Sequence, residues 1–171
     1  DLMPDVAKPR LRGVCHQYAC VVAVVAGAVL VALAPTGRAR FAALVYVITL
    51  ATMLGASALY HRVTWSDRWR PIMRRLDHSA IFLLIAGTYT PFCLITLHGG
   101  WRWGLLFGVW GLAFGGIALK IWWMHAPGWL SLALYLLAGW LGVVAAPMLV
   151  RVLPTGGVAW LIAGGLVYSI G

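Results

Sequence analysis

Six apolar runs follow one another along this chain and constrain its fold more than any other feature of the sequence. A helix that crosses the hydrocarbon core of a bilayer needs about 20 mostly apolar residues, and the first five runs are close to that length. Because backbone polar groups in lipid must be paired internally, such runs are expected to be helices. We therefore predict an all-α, polytopic membrane helix bundle with six spans, at residues of about 15–34, 41–61, 77–97, 103–124, 129–149 and 156–171.

The composition agrees with one transmembrane domain over residues 1–171. Hydrophobic residues make up 63% of the chain and charged residues only 10%, whereas a soluble domain is typically about 25% charged. The net charge of +9 is spread between the apolar runs and does not form one basic surface, so nucleic-acid binding is not expected. Membrane lipids are the expected partners.

The basic residues are distributed unequally between the two sides of the predicted bundle. If the N-terminus is cytoplasmic, nine Lys and Arg flank the spans on the inside and four on the outside. Short cytoplasmic loops carry an excess of basic residues, so we predict a cytoplasmic N-terminus in a multi-pass protein of the cell membrane. The inside residues are Lys8, Arg10, Arg12, Arg62, Arg68, Arg70, Arg74, Arg75 and Lys120, and the outside residues are Arg38, Arg40, Arg102 and Arg151.

The two ends of the chain need separate interpretation. The sixth run ends after about fifteen apolar residues, which is marginal for a span, so we interpret the chain as C-terminally incomplete. At the other end, basic residues, an apolar run and Ala32-Leu33-Ala34 together imitate a signal peptide. A retained first helix is the preferred interpretation, because this run is long and another span follows within six residues.

The fourth run carries a stripe of small residues at helical spacing: Gly104, Gly108, Gly111 and Gly115. Such a face allows two helix backbones to approach closely. We expect it to pack inside the bundle; dimerisation through this face is the alternative.

Three polar residues lie within or at the edge of predicted membrane spans, where polar side chains are disfavoured. Ser57 and His61 are four residues apart near the cytoplasmic end of the second run, so they share a helix face. Asp77 opens the third run at the same side. Since consecutive helices joined by a short loop are antiparallel neighbours, the three side chains should lie at one membrane depth. Ionisable residues in a span indicate a functional site, which here could hold a metal ion, activate water, or do both.

Each of these residues also has an ordinary structural interpretation. His61 can be an interfacial side chain, Asp77 an N-cap of the third helix, and Ser57 a small packing residue. Catalytic zinc takes about three protein ligands plus water, and His61 is the one well-placed histidine. His16, at the cytoplasmic start of the first run, could lie near this site, although an interfacial position is the preferred interpretation. His98 and His125 fall in loops on opposite sides.

The residues around these positions resemble a known family. Gly55-Ala56-Ser57-Ala58-Leu59-Tyr60-His61-Arg62 is similar to the Ser-x-x-x-His motif of the hemolysin III family, the bacterial branch of the progestin and adipoQ receptor superfamily. The segment from Arg75 to Phe92, beginning Arg75-Leu76-Asp77-His78-Ser79, resembles the second motif of that family. The N-terminal Lys8 to Gly13 and His16-Gln17 resemble its opening signature.

This resemblance implies a seven-helix bundle and a zinc site near the cytoplasmic face. His61 would be a zinc ligand, together with two histidines of an H-x-x-x-H motif on a seventh helix that this chain lacks. Asp77 and Ser57 would be the catalytic carboxylate and hydroxyl beside the metal and its water. The implied function is hydrolysis of an amide or ester bond in a lipid-like substrate, as in ceramidases. A pore-forming cytolytic protein and a non-catalytic sensor of membrane lipid or energy state, with structural zinc, are the alternatives.

Overall fold

The computed structural model describes residues 13–123 and 127–170, and every regular element in that part of the chain is helical. The prediction of an all-α protein is therefore confirmed. The elements are α1 (Val14–Leu33), α2 (Gly37–Arg62), α3 (Arg70–Pro91) continued by a π-helical segment (Phe92–Thr96), α4 (Gly99–Trp122), α5 (Gly128–Trp140) continued by a 3₁₀ segment (Leu141–Ala145), α6 (Ala146–Val152) and α7 (Thr155–Ile170).

Five helical stretches are long and apolar enough to cross a membrane, and α7 is apolar but shorter. The polytopic helix bundle predicted from the apolar runs is thus confirmed. The five candidate spans are Val14–Leu33, Gly37–Arg62, Arg70–Thr96, Gly99–Trp122 and Gly128–Val152.

Close contacts between small residues and their neighbours join α1, α2 and α3. Gly27 of α1 lies directly against Val47 of α2, and Gly87 of α3 against Thr49, leaving no room for a Cβ at either glycine. The α2 helix begins where Thr36 accepts a hydrogen bond from the backbone N–H of Ala39 at 3.1 Å, a side-chain N-cap.

The core continues from α3 into α4 and α5. Phe82 of α3 is 1% exposed and packs on Gly116 of α4, where a Cβ would clash with its ring. Val109 of α4 and Ala138 of α5 complete this apolar cluster. A second cluster around Cys93 and Leu97 fills the other half of the same interface.

The third helix begins seven residues earlier than its predicted start at Asp77. The segment Arg70–Leu76 is too polar for lipid, so hydropathy placed the start after it, but helical hydrogen bonds do not require apolar side chains. Pro71 lies in the first turn, where a missing N–H costs nothing. The interpretation of Asp77 as an N-cap is therefore wrong, since Trp69 holds that position and Asp77 lies inside α3.

The glycine stripe of α4 does not pack inside the described bundle as expected. A Cβ at Gly104, Gly108, Gly111 or Gly115 would meet no atom within 4 Å. The buried face of α4 is formed instead by Leu105, Val109, Ala113, Gly116 and Lys120. At about 100° per residue, that face is centred roughly 130° around the helix from the stripe, because the large core residues decide which face turns inward.

The fifth predicted span is a broken helix. Pro147 stands in the first turn of α6 and provides no N–H for a carbonyl of the preceding turn, so regular α-helix stops at Trp140. Tyr89 of α3 bridges the break. Its hydroxyl donates to the carbonyl of Gly139 at 2.5 Å and accepts from the N–H of Gly142 at 2.7 Å. Freed backbone groups at membrane depth need such partners.

Candidate metal and hydrolytic site

The packing of α3 on α2 sets the depths of the three predicted site residues. Gly87 lies opposite Thr49, and antiparallel helices advance by the same rise per residue. Asp77 precedes Gly87 by ten residues and Leu59 follows Thr49 by ten, so Asp77 is level with Leu59. That level falls midway between Ser57 and His61. The predicted match in depth therefore follows from the contact between the two helices.

Ser57 contacts His16, the histidine that could lie near the site but for which an interfacial position is preferred from the sequence. Its Oγ lies 3.0 Å from Nδ1 of His16, at the start of α1. Ser57 is buried, whereas His16 is exposed. With one histidine tautomer the hydroxyl donates to Nδ1; with the other, Nδ1–H donates to Oγ and the hydroxyl hydrogen is available to water or substrate. The short connection between α1 and α2 is the signal in the sequence for this pair, because it makes the two helices antiparallel and brings the start of α1 beside the end of α2.

His61 is held in position by the residue that opens α1. Gly13 has φ 82°, and a Cβ there would lie 2.8 Å from Cβ of His61 and 3.3 Å from Cγ of Arg62. The ring of Tyr60 lies 4.8 Å from the imidazole, centroid to centroid. The α1 N-terminus thus closes over the end of α2, and Gly13 is a site residue that motif reading did not single out.

Asp77 is 16% exposed and lies beside His78, with Oδ2 3.8 Å from Nδ1 of that histidine. The same Nδ1 donates to the carbonyl of Arg74 at 2.8 Å. Tyr135 of α5 donates to the carbonyl of His78 at 3.1 Å. The bond from Tyr135 ties this turn of α3 to α5, so the carboxylate lies on a turn that a neighbouring helix holds in place.

A zinc site needs several nitrogen, sulfur or carboxylate ligands close to one another. Within residues 13–123 and 127–170, no three His, Cys, Asp or Glu side chains form a group that could hold a metal ion. His61 is a ligand of the type that zinc prefers, but catalytic zinc takes about three protein ligands. The described residues therefore do not form a complete zinc site by themselves.

The other histidines do not enlarge this group. His98 precedes the first residue of α4, at the end of the bundle opposite to His61. His125 and the basic residues before Gly13 lie outside the described part of the chain.

Comparison with known proteins identifies the family. The model of the family described as "Haemolysin-III related" matches residues 5–171. Hemolysin-3 of Bacillus cereus is 42% identical over 136 residues, which cover 80% of this chain and 62% of that relative. The Hemolysin-3 homolog of Bacillus subtilis (strain 168) is 39% identical over 127 residues, or 74% of this chain and 59% of the relative.

The chain thus spans about three-fifths of the length of these curated relatives. No solved structure matches it. The Ser-x-x-x-His segment lies at the end of α2, and the second motif runs along α3. From this match and its apolar helices, the chain belongs to the haemolysin III family of the progestin and adipoQ receptor superfamily and is a multi-pass protein of the cell membrane.

Proposed function

We propose that the whole protein is a zinc-dependent hydrolase that cleaves an amide or ester bond of a membrane lipid, with His61 as one metal ligand. The observation that carries the proposal is the level position of Ser57, His61 and Asp77 on α2 and α3, fixed by the contact of Gly87 with Thr49. A hydroxyl, an imidazole and a carboxylate at one depth are the groups that metal-assisted hydrolysis uses.

The proposed metal chemistry is that of an open zinc site. Zinc would act as a Lewis acid that polarises the scissile carbonyl and brings the pKa of water to about 7. His61 would supply one ligand. The resemblance to the family implies two more histidines on the family's seventh membrane-spanning helix, which is not α7. The compared relatives are longer than the matched segment, which leaves room for such a helix.

Asp77 and Ser57 have roles toward water and substrate in this proposal. Asp77 accepts a proton from the attacking water and later returns it to the leaving group, as a general base and acid. Ser57 donates its hydroxyl hydrogen to the water or to the substrate carbonyl when Nδ1–H of His16 donates to its Oγ. His16 is thus a positioning residue, since it acts through Ser57.

The depth of these residues agrees with a lipid substrate. They lie at the arginine-rich end of the bundle, defined by Arg62, Arg68, Arg70, Arg74 and Arg75. The predicted cytoplasmic side of the bundle would place this end close to where the amide and ester linkages of lipids meet the headgroups. A substrate could reach them from the bilayer without leaving it.

The experiment uses the full-length protein in detergent, with zinc measured by metal analysis and hydrolysis followed on a lipid amide such as ceramide. We expect His61→Ala to lose most bound zinc, because one of about three ligands is removed. We expect Asp77→Asn to keep zinc and lose at least about a hundredfold in rate, the usual contribution of a general base. His98→Ala, at the opposite end, is the matched control and should retain both.

Two results would contradict the proposal. Stoichiometric zinc in folded His61→Ala protein would exclude His61 as a ligand. Unchanged hydrolysis in Asp77→Asn would remove the proposed base. The non-catalytic sensor with structural zinc would be favoured by two results together: His61→Ala loses zinc, and the wild-type protein hydrolyses no lipid amide or ester.

A cytolytic function is the second candidate, since the name of the Bacillus cereus relative is Hemolysin-3. Release of a trapped dye from vesicles by the full-length protein, undiminished in His61→Ala and Asp77→Asn, would favour it over hydrolysis.

A further inference from the structure

A cavity of about 280 Å³ opens between α3, α4 and α5 at the arginine-rich end of the bundle. Polar side chains from all three helices line it: Arg74 from α3, Lys120 from α4 and Ser131 from α5. Ser57, His61 and Asp77 are not among its lining residues. The cavity adjoins the candidate hydrolytic site through His78, which lines it and lies beside Asp77, but it is formed by other side chains.

Lys120 is the most constrained of these side chains. Only 4% of its surface is exposed, and its ammonium donates a hydrogen bond to Oγ of Ser131. A hydroxyl provides a dipole but no opposite charge. Burying an ammonium in a membrane protein is costly unless an anion compensates it, and among the described residues Lys120 has a hydroxyl but no anionic partner.

The described part of the chain provides no carboxylate for that role. Its two acidic residues are Asp67 and Asp77, and the ion pair found there joins Asp77 to His78. Neither Lys120 nor Arg74 has a carboxylate within ion-pair distance among residues 13–123 and 127–170. Two cations thus face one cavity with no carboxylate of the described residues in ion-pair contact with either, an arrangement that like-charge repulsion disfavours unless an anion binds between them.

The beginning of α5 adds a third favourable feature. Gly128, its first residue, lines the cavity. Pro127 precedes it and makes no side-chain cap. Its carbonyl accepts from the N–H groups of Leu130 and Ser131, so the N–H groups of Gly128 and Trp129 are the ones that the first turn leaves for another acceptor. Helix N-termini attract anions through these N–H groups and the helix dipole.

We propose that this cavity binds a phosphate group, carried by a membrane lipid or free in solution. The Arg74 guanidinium can hold two phosphate oxygens, and Lys120 supplies a point charge at the base. Ser131, which accepts from Lys120, can donate its own hydrogen. Trp122 and Trp129, which are close in sequence to the lining residues Lys120 and Gly128, have 84% and 70% of their surface exposed. Exposed tryptophans at the ends of membrane helices mark headgroup depth. Basic pockets between membrane helices at the cytoplasmic side bind acidic headgroups.

Phosphate binding in this cavity does not depend on the proposed hydrolysis, so its test measures binding alone. Native mass spectrometry of the full-length protein would compare phosphatidylglycerol with zwitterionic phosphatidylcholine. We expect Arg74→Gln to weaken phosphatidylglycerol binding roughly fivefold and Lys120→Met by at least about tenfold, because the buried charge is less screened. Arg68→Gln removes a nearby cation that does not line the cavity, and it should change binding less than twofold or so.

A calorimetric titration with inorganic phosphate distinguishes the two sources. Binding of phosphate alone that Arg74→Gln weakens assigns the cavity to the free anion, and a loss seen with lipid only assigns it to a headgroup. The proposal is overturned if neither variant weakens either probe, or if Arg68→Gln weakens lipid binding as much as Arg74→Gln. Arg74 is exposed, so its variant gives a result even where Lys120→Met does not fold.

Discussion

Position 13 illustrates how a single residue can be required twice. Its φ of 82° lies in the left-handed region, which a side chain with a Cβ disfavours. The same missing Cβ leaves space for His61, whose own Cβ would be only 2.8 Å away. Gly99 at the start of α4 has a φ of 58° but open space around it. Comparison of the two glycines therefore separates backbone strain from contact with the candidate metal ligand.

We predict that Gly13→Ala destabilises the protein more than Gly99→Ala. The backbone term is about 1–2 kcal/mol at both positions, and crowding adds about 1–3 kcal/mol at Gly13 only. Gly13→Ala should also lower the zinc content of the full-length protein, because it displaces His61. Thermal unfolding in detergent and metal analysis provide the measurements. Equal losses of stability in the two variants would show that the contact with His61 contributes nothing.

The hydrogen bond between Ser57 and His16 can be tested by measuring the coupling free energy of the two side chains. A double-mutant cycle of His16→Ala and Ser57→Ala should give a coupling free energy of about 0.6 kcal/mol, typical of hydrogen bonds between membrane helices. Thr52, whose hydroxyl bonds the carbonyl of Ile48 within α2, serves as control. His16→Ala and Thr52→Ala should be additive when denaturant unfolding is measured, and a coupling as large as that of Ser57 would contradict the assignment.

Among the helices, the turns that separate them could be predicted from the sequence more accurately than the face that each helix buries. The break at Pro35-Thr36-Gly37 is visible in the sequence, and Thr36 caps α2 there. The start of α3 was misplaced because hydropathy measures where lipid ends, whereas Pro71 was the signal for where the helix begins. The glycine stripe of α4 could not be assigned a partner, because small residues show that close approach is possible without showing which helix approaches.

Tyr89 joins α3 to the broken helix α5, and this contact can be tested. Tyr89→Phe leaves the carbonyl of Gly139 and the N–H of Gly142 without their shared partner. We expect a loss of about 1–2 kcal/mol in unfolding free energy, since two hydrogen bonds at membrane depth are removed. Tyr46→Phe is the control, because its hydroxyl makes no hydrogen bond to the described residues. Comparable stability of both variants and the wild type would mean that the break needs no bridge.

For the whole molecule, the apolar runs were sufficient to predict an all-α, polytopic bundle, because lipid leaves the backbone no alternative to helices here. The candidate site was only partly predictable. Its depth follows from the antiparallel arrangement of α2 and α3, whereas the contacts of His16 with Ser57 and of Gly13 with His61 depend on how α1 is rotated. The apolar face of α1 carries no pattern that specifies this rotation, since nearly all of its residues are hydrophobic.

The unequal distribution of basic residues predicts the orientation of the bundle in the membrane. The excess of nine inside Lys and Arg over four outside predicts that the loop between α2 and α3 is cytoplasmic. In a protein whose free Cys15, Cys20 and Cys93 are replaced by Ala, single cysteines can be introduced at three exposed positions, one in the loop before α3 and two in the first turns of α4 and α7, for labelling with an impermeant maleimide. Ser66→Cys should react only after the cells are permeabilised.

Gly100→Cys and Gly156→Cys should react in intact cells. One span, α3, separates Ser66 from Gly100, and two spans, α4 and the broken α5–α6 helix, separate Gly100 from Gly156. A Cβ at either glycine meets no atom within 4 Å, so both variants should fold as the parent does, and elution in detergent checks this. Reaction of Ser66→Cys in intact cells would contradict the predicted orientation. It would show that the arginine-rich end of the bundle, with both candidate sites, lies at the outer face. Opposite reactivity of Gly100→Cys and Gly156→Cys would contradict a second half that crosses the membrane twice.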